Sequence, residues 1–289
     1  MRQKNSFEKA WFVLSPLVIY RIVKYISMLI MVIIVQQVSL YEKTVSMLPF
    51  LGEENLCATV INGISSIIGV SFLYRRFLEE TTFRGEYDPD ANVFRQTWMR
   101  LQTSVKVHKK KWLAFVLVCI FAGCSAIAMN MIMSILPVTS DAYGRVANIQ
   151  YSVPVWLGII LYGVLAPIAE EIVFRGMMYN RMKRCFSMLI SMIVTSFMFG
   201  AFHGNVVQMI YAMMLGVLMI LVYEWLSSFW GPLLFHMSAN VVIYLCSTLF
   251  PDMIAVTVWS CCAFSVGAVM AGTGVYFLVE KGKVKGHAH

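Results

Sequence analysis

Glu170, Glu171 and Arg175 put two adjacent carboxylates and a guanidinium into a segment, 155–178, that otherwise reads as a membrane-spanning helix. Charge at that depth costs roughly 2.5–3.5 kcal/mol per residue on insertion scales, so it is kept where it faces a protein interior or a wet cavity. Helical spacing separates the two acids. Glu171 and Arg175 are i,i+4 with the acid on the N-terminal side, the favourable orientation for an ion pair on one face. Glu170 points about 100° away around the helix and has no cation of its own at helical spacing, which leaves it free to act. A carboxylate partly withdrawn from water is suited to general-base work on an attacking water. Pro167, just upstream, removes a backbone hydrogen bond and loosens the preceding turn, giving room for water or substrate.

Few other strongly polar residues lie at membrane depth in the later spans. His203 ends the apolar run 188–202, and His236 and Asn240 share one face of 231–250 at i,i+4 spacing. Glu170 and His203 are almost equally far from Phe186, the expected centre of the turn between their segments, so an antiparallel pair would bring them level. The basic residues Arg181, Lys183 and Arg184 mark the inner interface, which puts Glu170 on the order of 10–15 Å below it at 1.5 Å rise per residue. His203 comes out deeper than His236, so convergence requires tilted helices or a re-entrant end to the 188–202 segment. A lone intramembrane His is often a packing residue and a lone Asn is often interhelical glue. Four such residues together, among so few polar neighbours, point to chemistry.

The elements that must position them are membrane spans. The 289 residues are 59% hydrophobic and 13% charged, with a mean hydropathy of +0.73, which excludes an ordinary soluble domain. At ~20 apolar residues per span, the fold class is an all-α polytopic transmembrane bundle of about eight spans: 11–40, 56–74, 112–136, 155–178, 188–202, 206–223, 231–250 and 253–279. The first is interrupted by Arg21 and Lys24 and reads either as one long tilted helix or as an interfacial turn followed by a span. These charges, and the lack of a small-residue cleavage site, argue against a cleaved signal peptide. Basic residues cluster in every second connection (2–9, 75–111, 181–184, 281–285), apart from the short 224–228 turn, which places both termini in the cytoplasm. The same distribution assigns the 23 Lys+Arg against 15 Asp+Glu to topology and excludes nucleic acid as a partner. The seven cysteines lie within or beside apolar spans and read as small apolar residues, with no disulfide framework or zinc knuckle.

Three divisions follow: 1–150, the first three spans with a basic amphipathic cytoplasmic segment at 75–111; 151–250, the chemical core; and 251–289, the last span and a basic tail. In the 75–111 segment Phe94, Trp98, Leu101 and Val105 recur at helical spacing between Arg95, Arg100 and Lys106, the pattern of a helix lying on the inner leaflet. A docking platform for a cytoplasmic partner is the sharper alternative, and a membrane-protein partner is a separate expectation.

At these residues the sequence resembles the CAAX prenyl endopeptidase and bacteriocin-processing family (CPBP, Abi-type, type II CAAX) of intramembrane proteases. Its three motifs, EExxxR, FxxxH and HxxxN, read here Glu170 to Arg175, Phe199 to His203, and His236 to Asn240. The resemblance covers about 155–250. It implies hydrolysis of a peptide bond in a membrane-associated peptide or protein near the cytoplasmic face. Glu170 would activate the water, His203 would position it, and His236 with Asn240 would stabilise the oxyanion. Glu171 and Arg175 would hold their span in place and Phe199 would pack. For bacterial members it further implies links to peptide processing and bacteriocin immunity, in a multi-pass protein of the plasma membrane. No cofactor is expected; in the alternative zinc-dependent version Glu170, His203 and His236 would be the ligands. That version lacks an obvious base and has no HExxH. Two other classes compete: a non-catalytic scaffold or immunity protein on the same fold, and a small transporter, disfavoured because the charges cluster at one depth and no inverted repeat is visible.

Overall fold

The structure, a computed structural model, describes residues 5–39, 53–81, 111–136, 140–249 and 257–286. Short polar side chains start its helices. Asn5 and Glu8 cap each other reciprocally at the start of α1 (Ser6–Ser39), each side chain accepting from the other's backbone N–H at 2.8 and 3.0 Å. Ser140 accepts from Tyr143 N at α4 (Asp141–Tyr151) and Ser187 from Ile190 N at α6 (Met188–Ala201). Asn205 accepts from Gln208 N at α7 (Val206–Leu226). The remaining helices are α2 (Glu54–Thr81), α3 (Lys111–Ile135), α5 (Val155–Lys183), α8 (Trp230–Leu249) and α9 (Val258–Gly286). No strand occurs among the described residues.

Seven of these helices are long and apolar enough to cross a bilayer: α1, α2, α3, α5, α7, α8 and α9. Their outward faces are apolar, with Ile26, Leu29, Phe72, Val269 and Phe277 among the large exposed side chains, as expected where lipid is the solvent. The protein is a multi-pass membrane protein. Each of the eight apolar segments read from the sequence contains a helix over its described residues, but the fifth falls short of a span. α6 has 14 residues, about 21 Å of helix against a hydrocarbon core of about 30 Å. Its length suits the re-entrant end that the depth argument for His203 offered beside tilted helices.

Three other expectations are sharpened. The first span is one continuous helix carrying both Arg21 and Lys24, with Pro16 inside it. The second runs on past residue 74 to Thr81, so Arg75 to Glu80 are helical; the rest of the amphipathic segment, 82–110, lies outside the described residues. The 137–154 connection, expected to be a loop, contains α4. All seven thiols are free; Cys57 alone is buried and Cys262 is exposed, so the small-buried-residue reading holds only in part.

α5 is the axis of the bundle. Every residue from Glu171 to Tyr179 is buried, and α5 packs against α1, α2, α6 and α8. α3 covers α8, and α9 lies outside α3. The C-terminal end of α5 is tied by charge. Arg181 forks onto both oxygens of Glu80 in α2 (2.8 and 2.6 Å) and donates to Phe12 O and Ser15 Oγ of α1. Lys183 and Tyr179 both reach Glu224 at the end of α7 (2.6 and 2.9 Å). These residues, expected only to mark the interface, also join four helices. Breaking a buried pair by removing one partner costs about 3–5 kcal/mol. Arg181→Ala should therefore lower the thermal midpoint of the detergent-solubilised protein sharply, and Arg181→Lys should not restore it, because an ammonium lacks the two-pronged fork.

Candidate active site

α5 departs from regular α-helix twice, with π-helical turns at Ile159–Leu165 and Ile172–Tyr179 flanking the α-helical Ala166–Glu171 that carries both glutamates. Such turns are frequent at functional sites. In the first, Ala166 N donates to Leu161 O. Tyr162 O would receive the next N–H in that register, but residue 167 is proline and has none. Asn240 of α8 fills the gap, its Nδ2 donating to Tyr162 O at 2.9 Å. The hydrogen bond that Pro167 was expected to remove is thus supplied from the HxxxN motif.

The second motif is set by the end of α6. Gly200 allows α6 and α7 to touch backbone to backbone, since a Cβ there would collide with Met209 O. The chain turns at Gly204, whose φ of +75° favours glycine. Phe202 O, an orphan carbonyl at the helix end, accepts from Arg21 Nη2 of α1 at 2.8 Å, and the Arg21 guanidinium lies 4.0 Å from the Phe202 ring centroid. His203 follows, with its Nδ1 2.9 Å from Phe199 O. A carbonyl only accepts, so Nδ1 carries the proton and Nε2 keeps its lone pair.

The expected pair of Glu171 and Arg175 is present at 2.7 Å and is completely buried. Phe199 packs as expected, edge-on to Phe174 and to both histidines, with the Arg175 guanidinium 4.2 Å from its centroid. Arg175 also donates to Gly216 O. Glu171 has a second partner that the motif reading missed: His236 Nδ1 donates to the same Oε1 at 2.8 Å. The ring is thereby locked in orientation, with its Nε2 turned to Glu170 Oε2 at 3.8 Å. A continuous polar line runs from Arg175 through Glu171 and His236 to Glu170. Only helical proximity in the folded bundle could show this, because Glu171 and His236 are far apart in sequence.

Glu170, His203, His236 and Asn240 all line one cavity of about 640 Å³. Its walls also include Tyr143 and Gln150 of α4, Asn62 of α2 and Lys24 of α1, none of which the motif reading singled out. Lys24 was visible in the sequence as a charge in an apolar run, but was read only as an interruption. Among the described residues no three His, Cys, Asp or Glu side chains are grouped closely enough to form a ready-made metal site. His203 and His236 each have Nδ1 committed, to Phe199 O and Glu171, and each keeps Nε2 for another partner.

Asn240→Ala should unpair Tyr162 O in a half-buried site, at a cost of about 1–3 kcal/mol. A melting curve of the purified variant checks this, and Asn240→Gln should not recover the loss if reach to Tyr162 O is the cause.

Residues 152–242, about a third of the chain, match the family model described as Rce1-like, type II CAAX prenyl endopeptidase. The match encloses all three motifs and the cavity wall from Tyr162 to Asn240. No curated protein and no solved structure matches the chain.

Proposed function

We propose, from the match of residues 152–242 to the Rce1-like family model, that the chain is an intramembrane endopeptidase that hydrolyses a peptide bond of a membrane-associated peptide or protein, using water activated by Glu170. The observation that carries this reading is Glu170 on the wall of a 640 Å³ cavity, 3.8 Å from a histidine whose other nitrogen is anchored to a buried carboxylate.

The proposed steps follow from the hydrogen-bond roles. Glu170 takes a proton from a water held by the free Nε2 of His203, and the water oxygen adds to the scissile carbonyl. The carbonyl oxygen becomes an oxyanion, stabilised by the His236 ring, which Glu171 orients through Nδ1, and by the second N–H of Asn240 Nδ2, the first being spent on Tyr162 O. Glu170 then gives its proton to the leaving amine as the C–N bond breaks. Oxyanion donors are each worth about 2.7–4 kcal/mol in comparable sites. The route as proposed needs no metal. The further expectations, a bacterial plasma membrane, cytoplasmic termini and a place in bacteriocin processing or immunity, belong to the same reading and rest on the motif resemblance and the charge pattern.

Reconstitution in proteoliposomes with quenched fluorescent membrane peptides, prenylated and unprenylated, tests the proposal. Fluorescence should rise with at least one class. A scaffold on the same fold would leave every peptide intact.

A further inference from the structure

One charge at membrane depth has no part in the hydrolytic steps. Lys24 lies one helical turn beyond Arg21 on α1, half-buried. The two cations are used differently. Arg21 is spent at the end of α6, on the carbonyl and ring of Phe202. Lys24 instead lines the cavity that holds Glu170 and Asn240, and among the described residues no other Lys or Arg does so. No carboxylate of the described residues comes within 4.0 Å of its ammonium. Its aromatic neighbour is Tyr20, 5.9 Å to the ring centroid, at the outer limit of a cation–π contact.

A cation at this depth is expensive and is normally paired. Lys24 faces a space the size of a drug-like ligand pocket; Glu170 on the same cavity wall acts on it electrostatically but not within ion-pair distance, so a close ion pair at its ammonium is left for an anion that a ligand brings. For a peptide ligand that anion is a carboxylate. We propose that Lys24 is a specificity-determining residue that binds a carboxylate of the substrate inside the cavity. A 640 Å³ cavity takes only a few residues of peptide, so the bound carboxylate lies within a few residues of the bond presented to Glu170. The carboxylate is either the substrate's free C-terminus or an Asp or Glu side chain. This inference rests on the reading of the cavity as a protease site.

The test uses full-length protein in proteoliposomes and one apolar fluorescent peptide in four forms: free C-terminal acid, C-terminal amide, amide with one internal Glu, and amide with Gln in its place. Binding is measured by fluorescence anisotropy on Glu170→Gln protein, so it is read whether or not turnover occurs. At least one acid form should bind about tenfold or more tighter than its neutral counterpart, as expected for a desolvated charge pair. Lys24→Met should collapse that ratio to about one by weakening the acid form alone, and Lys24→Arg should restore most of it. Unchanged affinity for the amide in Lys24→Met shows that the variant is folded. With Glu170 intact, the same ratio should appear in KM with little change in kcat. The pair of peptides that shows the ratio identifies the source of the carboxylate. No carboxylate preference, a preference that survives Lys24→Met, or, with Glu170 intact, an equal loss of turnover on all four forms in Lys24→Met, as for a mere counter-charge to Glu170, would overturn the proposal. A carboxylate preference lost in Lys24→Met, without cleavage by the unsubstituted chain, would uphold Lys24 and sink the protease reading.

Discussion

Glu170→Gln should abolish peptide cleavage while leaving the protein folded. The substitution keeps the size of the side chain and removes only its ability to take a proton. General-base catalysis contributes typically 10²–10⁴-fold, and kcat should fall by at least that much with KM little changed. Stability should barely move, because the contact of Glu170 with His236 Nε2 is loose, at 3.8 Å, and its side chain lines the cavity. The neighbouring glutamate predicts the opposite pattern, so the comparison of adjacent positions is itself diagnostic. A variant that loses cleavage but melts normally fits the assignment. A Glu170→Gln protein that still cleaves at the original rate removes Glu170 from the reaction.

Arg175→Met should be the most destabilising single change in the core. Arg175 and Glu171 are both completely buried and 2.7 Å apart. Removing the cation leaves a carboxylate in the interior with only His236 Nδ1 to answer it, a loss of about 3–5 kcal/mol. The double variant Glu171→Gln/Arg175→Met removes both charges and should recover part of that loss, with a coupling of about 0.5–3 kcal/mol between the sites. Activity should not recover with stability, because Glu171 also anchors the His236 ring. Thermal melts of the two single variants and the double variant give the coupling, and turnover of the double variant gives the second half. Equal stability of Arg175→Met and the parent would show that the buried pair contributes nothing.

Local spacing made much of this site legible. The i,i+4 relation of Glu171 and Arg175 follows from helix geometry alone, and the pair is present as read. Glu170, His203, His236 and Asn240 share one cavity, and the short α6 suits one of the two alternatives, tilt or a re-entrant end, that the depth argument left open. What was not legible depends on contacts between distant segments. Glu171 has two partners, and only the one four residues away could be found by spacing. Asn240 was read as an oxyanion donor, and its bond to Tyr162 O depends on a π-helical register that no periodicity reports, although Pro167 flagged the missing N–H. Arg21 and Lys24 looked like defects in a span because apolar run length treats every charge as an interruption. The first caps α6 and the second faces the cavity. α4 escaped notice because it is polar, short and contains Gly144, so it carries no span signal.

The central claim is water-mediated peptide hydrolysis at Glu170 without a metal. Its most direct test is digestion of a membrane-peptide library by the reconstituted chain, read by mass spectrometry, with and without 1,10-phenanthroline. New termini that appear at the same rate in both conditions, and vanish in Glu170→Gln, are the predicted result. Cleavage lost with chelator and restored by added zinc, or products unchanged in Glu170→Gln, would contradict it.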